Sequence, residues 1–385
     1  MLNRRFIRLQ AVQLLYAFYV CKRANRAWAL DQIRDDFIPD FFADPHADKD
    51  QLAQEAQQAA DLFKSSLATL ETAPPDLAHA SRQVNASVSR ALASYKNELA
   101  KDRNRLVQGL ATARATMNQA CVRIWQLLVE WRHIAIQQAE RPKLAHPDSM
   151  TASACLADSC LLQRLQQDST LASLVQQEAA GWEAHMPLVK SWYNQFVKKD
   201  PTVQAYLAGP SSLAQEQQLL KFLVEDIIFS KKAIQEFFSG LVLNWDAQKR
   251  LVKKLVHQGL VHAEQNSEKS PRFEMIGMAD QWEVAQGFYT DLIHRTLQKE
   301  EELEALIAQK SANWTVERIM LLDKTILKLA LCEMVYFPAI PVKVSINEYI
   351  EIAKTYGVLR SSQFVNGLLD AVAATLHQGG ITDRA

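Results

Sequence analysis

Residues 313–370 read NWTVERIMLLDKTILKLALCEMVYFPAIPVKVSINEYIEIAKTYGVLRSSQFVNGLLD, and this stretch decides the fold class. Its apolar residues recur at spacings of three and four, which is the period of a helix that buries one face. The prolines of the FPAIP segment end the helix before them, because proline has no amide hydrogen to donate. Ser345 and Glu348 have the spacing of a capping box, which predicts a helix start there. Gly357 is expected to end that helix in the left-handed conformation.

The same period runs through nearly the whole chain, and no stretch alternates cleanly between apolar and polar residues. The 385 residues include only 11 glycines and 12 prolines, and 48% of them are apolar, so long helices around real cores are expected. We therefore predict an all-α protein, whose first helix runs from about Asn3 to Cys21. Between Leu77 and Glu140 the helical pattern is unusually long, which favours a long antiparallel hairpin or a coiled-coil arm.

Breaks in composition divide the chain into three predicted segments. Polar stretches that contain proline follow the first helix and recur from Gln265 to Pro271. Residues 1–40 are predicted to hold the first helices, residues 41–270 an inserted helical region, and residues 271–385 a C-terminal helical block.

Charge and motif content exclude most classes of function. The 43 Lys and Arg residues balance 43 Asp and Glu residues, so any affinity for nucleic acid or a membrane must be local. Glycine-rich phosphate loops, the zinc-protease helix motif and the serine nucleophile elbow are all absent from the sequence. Five cysteines are too few for a disulfide scaffold and lack metal-ligand spacing. We expect a cytoplasmic protein that is not an enzyme, has no cofactor or metal and does not enter a membrane.

The first thirty residues carry a local excess of positive charge. They contain no acidic residue and six basic residues, which are Arg4, Arg5, Arg8, Lys22, Arg23 and Arg26. The first three project within about 100° of one another at the start of a helix, where the helix dipole already presents positive charge. An external anion would explain this arrangement. The alternative is that the arginine stems cover apolar surface while their charged ends are solvated.

Two residues of the last helix are unusual. Glycine inside a helix costs about 1 kcal/mol relative to alanine, so Gly367 is expected to allow close packing against another helix of the same bundle. Phe364 lies nearly one turn earlier and could instead be exposed as an anchor for another protein.

The C-terminal stretch resembles the signature half of the NusB family of bacterial transcription antitermination factors. The elements DKxILKLA, IPVKVxINE, EIAKxYG and SxxFVNGLLD occur in the order and spacing of that family. At the N-terminus, the arginines together with Gln13, Leu15 and Tyr16 resemble the family's first helix, which ends in QxLY. The likeness covers about residues 1–40 and 275–378.

The resemblance implies a bundle of two packed three-helix subdomains that has no catalytic activity. It also implies binding of boxA-type RNA, in the nascent rRNA leader, together with the ribosomal protein NusE and the transcription elongation complex. RNA contacts are implied at the matched positions Arg4, Arg5, Arg8, Gln13 and Tyr16. NusE contacts are implied at Asp323, Lys328 and Phe364.

The chain departs from the family pattern at Phe6, where another basic residue is common, and at Arg360, where an acidic residue is common. The inserted region has no counterpart in short NusB proteins, and its function does not follow from the sequence. Two other functions are considered: a helical scaffold that binds proteins, and an accessory RNA-binding module of an rRNA methyltransferase system. The second has little support, because the chain has no glycine-rich strand-to-helix loop for the methyl donor.

Overall fold

The structure is a computed structural model, and it describes residues 4–39, 48–68, 80–139, 156–208, 212–265, 282–311 and 319–378. Within these ranges the regular structure is helical and includes no strand. The prediction of an all-α protein is therefore confirmed. No helix of the described ranges combines the length and apolar character that crossing a bilayer requires.

Three long helices come first: α1 (Arg4–Asp35), α2 (Lys49–Ala68) and α3 (Arg82–Ala139). α1 continues beyond its predicted end at Cys21, because neither glycine nor proline interrupts it. α3 is unbroken over 58 residues. Of the two alternatives predicted for this region, a hairpin or a coiled-coil arm, the hairpin is therefore wrong.

α1 and the first part of α3 pack as an antiparallel pair. Asn25 Nδ2 donates to Asp102 Oδ2 at 2.8 Å. Further along α3, Gly109 faces Leu14, since a Cβ atom at that glycine would overlap the Leu14 side chain. The antiparallel partner of the long helix is thus α1 and not a second half of α3.

Shorter helices form the middle of the chain: α4 (Cys160–Gln167), α5 (Ser169–Gln177), α6 (Met186–Trp192), α7 (Pro201–Ala208), α8 (Leu213–Phe222), α9 (Lys232–Leu241) and α10 (Trp245–Gln265). A π-helical turn follows α6, and another follows α8. Aromatic rings fill the core here: the rings of Trp182 and Trp192 lie 5.8 Å apart, and those of Phe238 and Trp245 lie 5.2 Å apart.

The C-terminal part holds five described helices: α11 (Trp282–Gln298), α12 (Glu300–Lys310), α13 (Leu321–Tyr336), α14 (Val342–Tyr356) and α15 (Ser361–Gln378). α13 is the central one, because an unbroken run from Thr325 to Met334 is buried. A helix buried on every side must pair any charged group that it carries.

Two of the predicted helix boundaries are wrong. α14 begins at Val342, so Ser345 lies inside the helix and does not form the predicted capping box with Glu348. Gly357 has a φ of −78° and is not left-handed, whereas Arg360 has a φ of 76°. Gly357 is needed for space instead, since a Cβ atom there would lie 2.5 Å from the preceding turn's carbonyl oxygen.

The chain divides into two compact units. We call Met1–Ile7 with Leu110–Gly287 the middle unit, and Arg8–Gly109 with Phe288–Ala385 the terminal unit. The terminal unit joins most of α1 to the C-terminal helices. It also takes up the part of the predicted insertion before residue 110, so these units do not follow the predicted segments 1–40, 41–270 and 271–385.

Candidate functional site

The residues predicted to contact RNA all lie on α1, but they differ in exposure. Arg4 and Arg5 are exposed in the first turn, which contains no acidic residue. Tyr16 is 38% exposed. Gln13 is half-buried, and its Oε1 accepts a hydrogen bond from Gln10 Nε2 at 3.3 Å. The side chains of these residues therefore differ in how far solvent reaches them.

Arg8 lies in the core of the terminal unit. Its side chain is 2% exposed; Nε donates to Glu333 Oε2 at 2.9 Å, and Nη2 donates to Oε1 at 2.7 Å. Burial lowers the pKa of Arg8, but the hydrogen bond and charge of Glu333 outweigh this effect and raise it. This position differs from the prediction that the Arg8 charge faces RNA phosphates, because a buried carboxylate already neutralises it.

Glu333 is the centre of a wider buried network. Ser345 Oγ donates to Glu333 Oε1 at 2.6 Å, and Tyr349 Oη donates to Oε2 at 3.3 Å. Burial, together with the negative charge of Glu333, raises the pKa of Tyr349 far above its usual range. The network therefore links α1, α13 and α14 in one place. The sequence carries a weak signal for it, which is a glutamate inside the apolar run KLALCEMVYF.

Lys328, predicted to contact a partner protein, also forms its ion pairs within the terminal unit. Its Nζ lies 2.5 Å from Glu300 Oε1 and 2.6 Å from Glu304 Oε1, and it sits 4.5 Å from the centre of the Tyr19 ring. Burial raises the pKa of Glu304, but hydrogen bonds from Lys324 and Lys328 outweigh burial and lower it. Lys328 thus ties α13 to α1 and α12.

Asp323, a second predicted partner contact, is 6% exposed in the first turn of α13. Its Oδ2 accepts from Ser361 Oγ at 3.0 Å, while its Oδ1 is buried and accepts no hydrogen bond among the described residues. Burial raises the pKa of Asp323. The contact fixes the start of α15 beside the start of α13.

Exposed apolar residues lie beside this contact, and the predictions from the sequence did not include them. Leu359 is 91% exposed, Val358 is 55% exposed and Met320 is 51% exposed. Because Asp323 contacts Ser361, these three residues lie at the same end of α13 and α15, and we call them the apolar rim. The available signal was an adjacent valine and leucine in the loop after Gly357.

The last helix shows the third predicted partner contact. Phe364 is half-buried on α15. Gly367 is exposed, and a Cβ atom there would have nothing within 4 Å. The expectation that Gly367 allows close helix packing is therefore wrong.

Comparison with known proteins identifies relatives that all belong to one family. A model of the NusB family matches residues 251–374. The transcription antitermination protein NusB of Bacillus mycoides is 36% identical over 129 residues, which are 34% of this chain and 99% of that protein. The protein of the same name from Oleidesulfovibrio alaskensis is 45% identical over 96 residues. These residues are 25% of this chain and 62% of that protein.

A solved structure of T. maritima NusB shares 27% identity with this chain, over 33% of this chain and 81% of that one, with a TM-score of 0.23. The sequence relatives are decisive, since the Bacillus mycoides protein finds a counterpart here over almost its whole length. On this ground the chain belongs to the NusB family.

Proposed function

We propose that this chain is an RNA-binding transcription antitermination factor. It binds boxA-type RNA in the nascent rRNA leader together with NusE, and promotes processive rRNA transcription within the elongation complex. The observation that carries the proposal is the alignment over 99% of the Bacillus mycoides protein, which is named a transcription antitermination protein. The mechanism is assembly of protein and RNA, with no chemical step.

The start of α1 supports the RNA-binding part of the proposal. Arg4 and Arg5 are exposed where the helix dipole presents positive charge, and no carboxylate lies in the first turn. Both side chains suit the phosphate oxygens of an RNA backbone. Tyr16, further along the same helix, offers a ring on which an unpaired base can stack.

Arg8 acts in this proposal as a positioning residue. Its buried pair with Glu333 fixes α1 against α13, so its loss would disturb RNA binding through the structure. A direct test of phosphate contact therefore uses only Arg4 and Arg5.

The RNA test compares the wild type with the Arg4→Gln/Arg5→Gln variant. Affinity for single-stranded boxA RNA is measured by fluorescence anisotropy at several salt concentrations, with NusE present. Each phosphate contact on a single strand contributes about 0.7 to the slope of log K against log salt, so we expect the slope to fall by about 1.4. The control is Lys232→Gln/Lys249→Gln, because each of these lysines is paired within its own helix. An unchanged slope in the arginine variant would refute the phosphate contacts.

The apolar rim supports the partner part of the proposal. Several exposed apolar residues that lie together can mark a surface that another protein covers. The predicted contacts Asp323, Lys328 and Phe364 lie on α13 and α15, and the rim residues precede the starts of these two helices. Asp323 and Lys328 are buried, so in this proposal they support the surface and do not contact NusE directly.

The partner test uses Leu359→Ser and calorimetric titration with NusE. Burying a leucine side chain contributes about 1.5–3 kcal/mol, so affinity should fall by about ten-fold or more. Leu243→Ser is the matched control, since Leu243 is 82% exposed and lies in the middle unit. Equal NusE affinity of Leu359→Ser and wild type would remove the rim from the interface.

A further inference from the structure

A group of basic residues lies midway along the antiparallel pair of α1 and α3. It is separate from the arginines at the start of α1. Four of its members are exposed and one is half-buried. We call it the central basic cluster, and it consists of Lys22, Arg23, Arg26, Lys96 and Arg103.

The packing of the two helices brings these residues together. Asn25 Nδ2 donates to Asp102 Oδ2 at 2.8 Å, so the residues next to them in sequence, Arg26 and Arg103, lie at the same level of the pair. The electrostatics agree with this geometry. Burial raises the pKa of Tyr95, and the positive charges of Arg26 and Arg103 both oppose that increase. Two arginines from different helices therefore act on one hydroxyl group.

Four of the five members of the cluster are not neutralised by carboxylates of the described residues. Lys22, Arg23, Arg26 and Lys96 form no ion pair within the part of the chain that the structure describes. The carboxylates next to Lys96 and Arg103 on α3 already have other basic partners: Glu98 pairs with Lys101, and Asp102 pairs with Arg105. The surface therefore keeps an excess of positive charge in a chain whose net charge is zero.

The dimensions and position of the cluster suit an RNA backbone. At 1.5 Å of rise per residue, Lys96 and Arg103 are about 10 Å apart along α3. Three of the five side chains are arginines, which bind phosphate oxygens through two parallel hydrogen bonds. Tyr16 and Arg23 are seven residues apart on α1 and so lie on the same face, about 10 Å from each other. The cluster thus continues a surface on which the proposed function already places RNA.

We propose that the central basic cluster is a second RNA-binding surface, which holds the sugar–phosphate backbone of the single strand that flanks the boxA segment. This inference rests on the proposed function and extends it, since three of the five residues lie beyond Tyr16 on α1 and two lie on α3, in the region that the sequence predicts to be an insertion. The contacts are independent of base sequence, because phosphates carry no sequence information.

The test compares wild type, Arg23→Gln/Arg26→Gln and the paired-lysine control Lys232→Gln/Lys249→Gln. Two RNAs are used: one of boxA length, and one extended on both sides by uridines. With the extended RNA, the salt slope of the arginine variant should be smaller by about 1.4 than that of wild type. With the short RNA the two proteins should bind alike, and the control should match wild type with both. Both replaced arginines are exposed, so unchanged thermal unfolding verifies the fold.

Each other outcome has a distinct meaning. An unchanged slope with the extended RNA overturns the second surface but leaves the proposed function intact. Equal losses with both RNAs also overturn it, because the cluster would then belong to the boxA site. Polyglutamate is titrated as an acidic probe in parallel, and a loss of affinity for it without a loss for RNA would overturn the proposal and assign the cluster to an acidic protein. If wild type binds neither RNA, the proposed function itself fails.

Discussion

Replacing Glu333 by glutamine removes the negative charge at the centre of the buried network and keeps the shape of the side chain. Glu333 is fully buried and accepts hydrogen bonds from Arg8, Ser345 and Tyr349. The guanidinium of Arg8 stays charged in the variant, because arginine is not deprotonated in proteins. The nearest remaining carboxylate, Glu348, is 3.9 Å from Arg8 Nη1 and partly exposed.

The expected loss in the free energy of unfolding follows from this geometry. Removing one partner of a buried ion pair costs about 3–5 kcal/mol, since the other charge is left uncompensated. Glu348 offsets part of the loss, so we expect a decrease in the free energy of unfolding near the lower limit, about 3 kcal/mol. For a unit of this size each kcal/mol shifts the unfolding midpoint by about 2–4 °C, so the midpoint should fall by about 6–12 °C.

The assay is thermal and urea unfolding followed by circular dichroism, with hydrogen exchange of the α13 amides to localise the effect. The control is Glu302→Gln, which removes a carboxylate that is exposed and paired with Lys299. Adding Arg8→Met to Glu333→Gln should recover stability, because no unpaired buried charge then remains. If Glu333→Gln is as stable as the control, or if Arg8→Met makes it worse, the reasoning is refuted.

Other substitutions probe single features of the terminal unit. Because burial raises the pKa of Asp323, the folded state holds its proton more tightly, and the ionised carboxylate weakens stability as the pH rises above the usual aspartate range. Asp323→Asn should therefore raise the urea midpoint at neutral pH and remove this pH dependence, with Ser361 still able to donate; a lower midpoint at neutral pH contradicts this. Gly367→Ala should stabilise α15 by about 1 kcal/mol, because the added methyl group meets nothing within 4 Å. Gly357→Ala should destabilise the protein by about 1–3 kcal/mol, since its methyl group would lie 2.5 Å from the carbonyl oxygen of Ala353. Equal urea midpoints for Gly367→Ala and Gly357→Ala would contradict the expectation that only the first glycine has room for a methyl group.

Errors in the sequence-based expectations have specific physical causes. The hairpin, one of two alternatives for α3, was inferred from the unusual length of the helical pattern, whereas α1 supplies the antiparallel partner through Asn25 and Asp102. The capping box failed because Ser345 has a stronger partner, a buried carboxylate, which the local pattern of residues does not include. In both cases a contact between distant segments overrode a local preference.

Periodicity, composition and motif spacing were enough to establish an all-α chain of the NusB family with basic residues at its start, because these properties depend on neighbours along the chain. Only the tertiary structure decided which charges face solvent. Arg8 and Arg5 look alike in sequence, yet Arg8 is buried against Glu333, 325 positions away. Exposure and pairing depend on which distant side chains share a volume from which water is excluded, and that is settled only when the helices pack.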